Sequence, residues 1–474
     1  MLERLRNIGI SAHIDAGKTT LAERMLYYCG RIHMMRDVRG SDGGATMDSG
    51  SIEKRRGITI NSAATHLEWN QHRINLIDTP GHVDFTVEVE RSLRVLDGAV
   101  LVVCAASGVQ SQTVTVTRQM RRYNVPCIAL INKMDLIGAQ PVEAVQQLRD
   151  KLAWDAQPIQ LPIGCGSSFA GVVDLIDQVA VYFDGEDGGQ VRRGEVPESM
   201  LREVSDARRE LLEAVAFHDE SIFAALSEKR EPSSEDLRAA IRVAAIDGRM
   251  VPVVFGSAQS NCGIQSVLDA VVDYLPSPKD RSVFASTVTH DDSSEQVELT
   301  PDVDRPAVAM PFKTVVNKFG QLTCIRVYQG RLVAGEKYRS ALTGRKQRLG
   351  RLLRMHADTV EEVGAAEAGD IVAVTGLDCV SGDTLLGENA DCVLPGIQIA
   401  EPVMSLAVTP TRRDDLGRMA KGLDRLRRED PTLRISTDPR TGDTLVSGMG
   451  RLHLEVTLEK LQNDYDCPCE VGTP

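Results

Sequence analysis

The chain has 474 residues, 42% hydrophobic and 26% charged, a composition typical of soluble globular protein and a length sufficient for about three domains. Its formal net charge of −13 excludes a general electrostatic affinity for nucleic acid, so any RNA contact requires a local basic patch. No apolar run is long enough to cross a bilayer, and the opening residues lead almost at once into a strand pattern, so we expect no signal or transit peptide. The ten Cys and nine His lack metal-ligand spacing, and we interpret all ten cysteines as reduced thiols.

Near the N-terminus, a short apolar run breaks into a small-residue loop and then into the helical pattern of residues 21–26. This order is typical of a phosphate loop, in which inward-facing amides and a helix N-terminus bind phosphate oxygens. Lys18 is expected to reach the β- and γ-phosphates, and the Thr19 hydroxyl to bind Mg²⁺. Ala12 stands where the usual pattern has its first Gly, and a plain Gly-rich turn is the alternative. The candidate nucleotide-binding residues are Ala12, His13, Ile14, Asp15, Ala16, Gly17, Lys18, Thr19 and Thr20.

From Asn7 to about Leu275, short apolar runs alternate with amphipathic helical stretches, which predicts an α/β parallel sheet. The predicted strands are residues 74–77, 98–103, 127–131 and 251–255. Functional loops are expected at the carboxyl ends of these strands. Residues 158–250 interrupt this alternation of strand and helix patterns, because they contain a Gly/Asp-rich turn and charged helical patterns. We interpret them as an inserted subdomain.

The remainder of the chain contains a predicted linker followed by two regions with different secondary-structure patterns. A polar, acidic stretch at 287–306 predicts a linker or loop, and strand-like, Gly-punctuated residues 307–394 predict a small β-barrel. Its basic run at 344–354 is either a solvated strand face or a local RNA contact. The predicted α+β region then comprises a strand at 403–408, a helix at 414–429, a strand pair near Arg434 and Thr444, and a helix from Arg451.

The segment after the predicted strand 74–77 reads Asp78-Thr79-Pro80-Gly81-His82. An Asp at a strand end suits a second Mg²⁺ contact, directly or through water, and Gly81 allows close backbone approach to a γ-phosphate. His82 can position or deprotonate a water at that place. A plain turn is the alternative interpretation.

Three further segments complete a guanine-nucleotide pattern. Asn132-Lys133-Met134-Asp135 follows a predicted strand, and the Asp135 carboxylate can accept both the ring N–H and the exocyclic amine of guanine, a donor pair that adenine lacks. Ser257 and Ala258 end the last strand and would support the base with backbone amides. Thr59, in the segment 56–60, can bind Mg²⁺ through its hydroxyl when γ-phosphate is present. With the phosphate loop and residues 78–82, these segments form five guanine-nucleotide motifs that follow one another along the chain, and together they predict a GTPase.

Longer segments carry a family resemblance. Residues 78–82 with 56–60 resemble the translational GTPases. Within that group, the segments that look like elongation factor G are residues 7–20, 45–48, 84–99 and 447–455. The resemblance covers essentially the whole chain, and residues 108–113 and 118–126 are similar to the mitochondrial-type branch and its bacterial relatives.

This resemblance implies an α/β P-loop GTPase domain at 1–280 with an insert at about 158–250, a linker at 281–305, a β-barrel domain II at 306–396, and a small α+β ferredoxin-like domain III at 400–474. It implies that His82 is catalytic and orients the attacking water once the ribosome places it. Asp15 would help to hold a monovalent cation near the phosphates. The implied Mg²⁺ ligands are Thr19, Thr59 and Asp78, and the implied cofactors are GTP/GDP, Mg²⁺ and that monovalent cation.

The implied partner is the ribosome, with rRNA and ribosomal proteins near its factor-binding site, and the expected activity is ribosome-dependent GTP hydrolysis that drives translocation of tRNA and mRNA. Residues 49–55 are smaller and more basic than the usual switch I approach, so switch ordering is expected to differ. The resemblance implies that the family continues past 471–474 into domains IV and V, which reach tRNA and mRNA, and we expect both domains to be absent from this chain. We therefore expect a truncated form or short paralogue whose contact with tRNA and mRNA is only indirect.

Two alternatives remain open at this point. One is a ribosome-recycling or ribosomal-protection GTPase of the same superfamily, and the other is a translocation-inactive paralogue that binds ribosomes. We expect a monomer without membrane contact, in the bacterial cytoplasm or alternatively in the mitochondrial matrix.

Overall fold

The computed structural model describes residues 2–36, 46–47, 51–56, 59–60, 62–287, 295–317, 320–356, 359–439 and 441–472. Residues 48–50 and 57–58 of the predicted switch I segment, and 473–474 at the end of the chain, lie outside the described residues. The chain divides into two compact units. The first consists of Met1–Ser49, Ala63–Gly81 and Leu96–Arg281, and the second of Gly50–Ser62, His82–Val95 and Ser282–Pro474.

The helices and strands are numbered in chain order. The α-helices are α1 Lys18–Tyr28, α2 Ser51–Arg56, α3 Thr86–Val95, α4 Ser111–Arg122, α5 Pro141–Leu152, α6 Leu201–Ala216, α7 Glu220–Ser227, α8 Ser234–Ile246, α9 Ile264–Tyr274, α10 Leu416–Glu429 and α11 Arg451–Tyr465. The strands of the first unit are β1 Leu5–Ala12, β2 Ala63–Trp69, β3 His72–Asp78, β4 Gly98–Cys104, β5 Cys127–Asn132, β6 Ala156–Pro158, β7 Gln160–Ile163, β8 Gly171–Asp174, β9 Val179–Asp184, β10 Gln190–Gly194 and β11 Val251–Phe255. Those of the second unit are β12 Val283–Thr287, β13 Gln296–Leu299, β14 Val308–Asn317, β15 Gly320–Gln329, β16 Arg331–Val333, β17 Lys337–Ser340, β18 Lys346–Arg348, β19 Leu352–His356, β20 Thr359–Val363, β21 Ala365–Glu367, β22 Ile371–Thr375, β23 Leu385–Leu386, β24 Cys392–Val393, β25 Met404–Pro410, β26 Arg434–Thr437, β27 Thr444–Gly448 and β28 Cys469–Gly472.

The first unit is built on a seven-stranded sheet in the order β2-β3-β1-β4-β5-β11-β6. Its strands are parallel except for β2, which pairs antiparallel with β3. Every residue of β1, β4 and β5 is buried, as expected for central strands of a sheet covered by helices on both faces. The predicted α/β parallel sheet is therefore confirmed, and all four predicted strands lie within β3, β4, β5 and β11.

The predicted insert enters the chain between β6 and β11, two strands that are neighbours in the large sheet. It contains a separate antiparallel sheet in the order β10-β9-β8-β7, together with α6, α7 and α8. Asp219 and Ser233 cap α7 and α8 by accepting backbone hydrogen bonds, which explains why these helices begin where they do.

The second unit contains a β-rich part and an α+β part. The β-rich part is an eight-stranded sheet in the order β18-β17-β23-β14-β15-β22-β19-β20, with Ile325, Val327 and Val374 among its buried core. The α+β part has the chain order β25-α10-β26-β27-α11-β28 and the sheet order β26-β27-β25-β28, which is the ferredoxin-like arrangement. The predicted fold class is thereby confirmed.

The predicted linker at 281–305 is wrong in one respect, because it contains β12 and β13, which pair antiparallel and join β24 in a three-stranded sheet. The two strands are only five and four residues long, and only Ala285 and Leu299 are buried in them, so their apolar pattern is too short to reveal a strand beside a polar, acidic stretch. Residues 288–294 lie outside the described part of the chain. The domain boundaries as a whole stay a prediction. No helix in the described part of the chain combines the length and apolar character that a membrane span needs.

Candidate functional site

The loop between β1 and α1 contains two residues with left-handed backbone, Asp15 at φ 61° and Gly17 at φ 97°. The Ala16 amide donates to the His13 carbonyl at 3.2 Å, and the Leu21 amide donates to the Gly17 carbonyl at 2.9 Å, where α1 begins. Alternation between right- and left-handed backbone turns successive amides into one concavity, which is an anion-binding geometry. The loop therefore fits a phosphate group at the N-terminus of a helix.

A buried ion pair lies directly beside this loop. Lys18 Nζ is 2.6 Å from Asp78 Oδ1, and the two side chains are 8% and 0% exposed. The pair forms because β1 and β3 are adjacent parallel strands, so α1 starts near the carboxyl end of β3. Thr79 secures the same strand end by donating its hydroxyl to the Ile10 carbonyl at 2.7 Å. An ammonium and a carboxylate at this place suit phosphate and Mg²⁺, respectively.

Asn132, the last residue of β5, ties two loops together. Its Nδ2 donates to the Ala16 carbonyl at 2.8 Å, and its Oδ1 accepts from the Ala258 amide at 2.9 Å. A β-carbon on Gly17 would lie 2.4 Å from Asn132 Nδ2, so the phosphate loop and Asn132 are in close contact. The buried amide thus joins the phosphate loop to the loop that follows β11.

The proposed base-reading carboxylate is held by that second loop. Asp135 Oδ1 accepts a hydrogen bond of 2.5 Å from the Ser257 hydroxyl, and Ser257 is fully buried. The Met134 amide donates to the Gly256 carbonyl at 3.2 Å, which joins the backbones of the two segments. Asp135 itself is half-buried, so its remaining acceptor sites stay accessible to a ligand.

The first unit therefore brings together residues 12–20, 78–81, 132–135 and 257–258, as the sequence predicts. The other two predicted residues, Thr59 and His82, belong to the second unit. Thr59 is buried there. His82 is partly exposed, its Nδ1 accepts a hydrogen bond from the Asp84 amide at 3.2 Å, and its ring meets the Phe85 ring edge-on at a centroid distance of 6.1 Å.

Two contacts of the first unit, one to the phosphate loop and one to α1, were not predicted from the sequence. Gln112 Oε1 accepts from the Ile14 amide at 2.9 Å, although a Gln in the first turn of a helix carries no signal for this role. The buried Glu23 of α1 accepts from the amide and the hydroxyl of Thr46, at 2.9 and 3.0 Å. The position of Glu23 in an amphipathic helix does not predict that its partner is Thr46, 23 residues away.

The charge state of His13 follows from its position. Burial, reinforced by the nearby Lys133 ammonium, lowers the pKa of His13 below its ordinary value. A neutral ring adds no positive charge to the phosphate loop at pH 7, so the positive charge near this loop comes from Lys18 and Lys133.

Three family models of known proteins match successive parts of this chain. The model of the elongation factor Tu GTP binding domain matches residues 3–277, that of elongation factor Tu domain 2 matches 320–386, and that of elongation factor G domain III matches 399–473. Elongation factor G of Rhodopirellula baltica is 50% identical over 473 residues, covering 100% of this chain and 68% of the relative. The mitochondrial elongation factor G of Culex quinquefasciatus is 48% identical over 477 residues, covering 100% of this chain and 64% of the relative.

A solved structure agrees with these matches. A crystal structure of a protein from Thermus thermophilus superposes with a TM-score of 0.87 at 28% identity, covering 100% of this chain and 68% of that one.

The matched nucleotide domain and the loops that surround Lys18, Asn132 and Asp135 define the class of translational GTPases, enzymes that hydrolyse GTP in protein synthesis. Within that class, the chain belongs to the elongation factor G family. GTPases of this family bind GTP and GDP with Mg²⁺ and act on the ribosome. The chain spans between 64% and 68% of the length of the two relatives named above.

Proposed function

We propose that this chain is a ribosome-stimulated GTPase whose hydrolysis of GTP serves translocation of tRNA and mRNA. The observation that carries the proposal is the double hydrogen bond of Asn132, which joins the phosphate loop to the loop beside Asp135. One rigid amide thereby fixes the distance between a phosphate site and a base site. A nucleoside triphosphate has the same two features, phosphates at one end and a base at the other.

In the proposed site, Lys18 neutralises charge on the β- and γ-phosphates, and the amides of residues 12–20 bind their oxygens. Thr19, Thr59 and Asp78 hold Mg²⁺, and residues 79–81 line the γ-phosphate side. In the 2.6 Å pair of Lys18 with Asp78, each group compensates the buried charge of the other. Asp15 is the proposed ligand for a monovalent cation.

His82 is the proposed catalytic residue, with the role of orienting the attacking water. Transfer of a phosphoryl group to water requires little covalent chemistry from the protein, so positioning and charge neutralisation supply most of the rate enhancement. The edge-on contact with Phe85 and the hydrogen bond from the Asp84 amide restrict the His82 ring, as a positioning role requires.

Asp135 is the proposed base-selective residue, and Asp135→Asn tests it. The Asn side chain accepts one hydrogen bond and offers an N–H, so it suits xanthine, which has a carbonyl where guanine has an amine. We expect GTP affinity to fall on the order of 10- to 100-fold, since a hydrogen bond to a charged group is lost, while xanthosine triphosphate gains affinity. Titration of both nucleotides measures the change, and unaltered preference for GTP would refute the assignment.

The basic run at 344–354 is the proposed rRNA contact. Arg345, Lys346, Arg348 and Arg351 are exposed, whereas Leu349 and Leu352 are buried, so the fold directs the cations outward. Phosphate contacts of this kind are strongly salt-dependent. Charge reversal at Lys346 and Arg348 should weaken ribosome binding and flatten its salt dependence, and an unchanged salt slope would refute the contact.

We further propose a monomer in the bacterial cytoplasm, with the mitochondrial matrix as the alternative. Both kinds of relative, bacterial and mitochondrial, match the full length of this chain at similar identity. Sedimentation of the purified protein tests the oligomeric state, and a stable dimer would contradict it.

A further inference from the structure

Asp84 connects two separate elements of the second unit. It lies in the 3₁₀ turn Val83–Phe85, and its Oδ2 accepts hydrogen bonds from the amides of Leu452 at 2.9 Å and His453 at 3.3 Å. These two amides belong to the first turn of α11, where backbone N–H groups have no partner within the helix. Gly450, the residue before α11, has no side chain that could serve them. A carboxylate from a distant segment therefore caps this helix and also complements its dipole.

The same residue contacts His82 on its other side. The Asp84 amide donates to His82 Nδ1 at 3.2 Å, and Asp84 Oδ1 lies 3.5 Å from the same nitrogen. Because an amide N–H only donates, Nδ1 carries a lone pair, and the neutral ring then has its proton on Nε2. A ring in this tautomer donates from Nε2 to the oxygen of a water, so the contact favours orienting a water over deprotonating it.

We propose that Asp84 is a positioning residue for His82, held in place by the N-terminus of α11. This inference rests on the proposed catalytic role of His82. The Phe85 ring supports the same arrangement, because it meets the rings of both His82 and His453 edge-on at centroid distances of 6.1 Å. Helix α11 thus acts on the His82 ring through one side chain and one ring contact.

Gly450 offers a way to disturb Asp84 without replacing it. Its φ of 175° is extended backbone that any residue adopts, but an added β-carbon would lie 2.5 Å from the Asp84 carboxylate. Gly450→Ala therefore forces the carboxylate away from the α11 amides while His82 and Asp84 stay chemically intact. Gly417→Ala in α10 is the matched control, since a β-carbon there meets nothing within 4 Å.

The test is ribosome-stimulated GTP hydrolysis by the full chain, with kcat separated from the ribosome concentration at half-maximal rate. Gly450→Ala and Asp84→Ala should each lower kcat on the order of 10- to 100-fold, because a displaced catalytic group loses its alignment. Nucleotide affinity and the half-maximal ribosome concentration should stay within about twofold of wild type, since the binding residues are untouched. Asp84→Asn should recover most of kcat, because Asn caps a helix about as well as Asp.

A second readout reports on the His82 ring itself. Labelling of histidine with ¹⁵N should show an unprotonated Nδ1 and a protonated Nε2 for His82 in wild type and in Gly417→Ala, and a tautomer mixture in Gly450→Ala. His82→Ala is assayed in parallel. If it retains stimulated hydrolysis, the proposed function of His82 fails; if it loses hydrolysis while Gly450→Ala keeps wild-type kcat and ring signals, only the positioning role of Asp84 is overturned.

Discussion

Gly17 shows how a single position determines whether the nucleotide site can form. Its φ of 97° is a conformation that residues with a β-carbon rarely adopt, and its neighbour Asn132 leaves no room for one. The glycine thus allows both the loop amides to turn inward and Asn132 to reach the Ala16 carbonyl. Both the left-handed backbone of residue 17 and the contact of Asn132 with the Ala16 carbonyl therefore require that residue 17 has no β-carbon.

Gly17→Ala is therefore expected to lower the affinity for GTP and GDP at least about tenfold, since backbone strain alone costs on the order of 1–3 kcal/mol. Gly138→Ala is the matched control, because Gly138 has a similar φ of 89° but its β-carbon would meet nothing within 4 Å. Equilibrium titration with GDP measures both variants. If Gly17→Ala and Gly138→Ala lost GDP affinity to the same small extent, the contact with Asn132 would have no role in nucleotide binding.

Single residues also show what the sequence could and could not predict. The spacing of Lys18 and Thr19 after an apolar run predicted the phosphate loop, since that pattern is local. The sequence assigned Lys18 to phosphate and Asp78 to Mg²⁺, but it could not show that the two pair with each other, because 60 residues separate them. The capping of α11 by Asp84 was unpredictable for the same reason, with 368 residues between donor and acceptor.

At the scale of elements, α3 is held within the second unit by a buried charge cluster. Glu88 lies 2.6 Å from both Lys313 Nζ on β14 and Arg91 Nη1, and Arg91 also donates to the Glu429 carbonyl at 2.7 Å. Lys313 in turn donates to the Ser62 carbonyl at 2.9 Å. One carboxylate thereby joins a segment near switch I, α3, the β-rich part and the end of α10.

Removing this carboxylate's charge by Glu88→Gln should destabilise the second unit by about 3–5 kcal/mol, because two buried cations lose the carboxylate that pairs with them directly. Glu401→Gln is the control, since the Glu401–Arg434 pair is exposed and such pairs contribute about 0–1 kcal/mol. Hydrogen exchange of α3 and β14 measures local stability without assuming a two-state transition. Unchanged protection in Glu88→Gln would contradict the argument.

The same charge cluster makes the stability of the second unit depend on pH in the acidic range. Burial alone would raise the pKa of Glu88, but Lys313 and Arg91 outweigh it and hold the pKa well below its ordinary value. A carboxyl whose pKa is lowered in the folded state stabilises that state, and the stabilisation is complete above the unfolded pKa of about 4.3. This contribution to the free energy of unfolding is lost as the pH falls below that value. The wild type should therefore lose protection of α3 between about pH 4 and pH 2, whereas Glu88→Gln should lack that step.

For the molecule as a whole, hydrophobic periodicity predicted the parallel sheet, its insert, the β-rich part and the α+β part. The ferredoxin-like arrangement of the α+β part was implied only by the family resemblance. The error at 281–305 arose because β12 and β13 are short, bury one residue each and flank a polar, acidic stretch that is typical of a linker. Hydrophobic patterns report which face of a strand is buried, and strands as short as β12 and β13, with one buried residue each, give too little of such a pattern to be recognised. This chain covers 68% and 64% of the two relatives named above, so translocation itself stays a proposal for this protein.

The most direct test of the central claim is the rate of GTP hydrolysis by the purified 474-residue chain, with and without bacterial ribosomes, beside His82→Ala. A ribosome-stimulated GTPase of this family should show strong stimulation in the wild type and a loss on the order of 100-fold or more in the variant, with GTP affinity retained. Binding of GTP without stimulation by ribosomes, or stimulation that survives the loss of His82, would contradict the account.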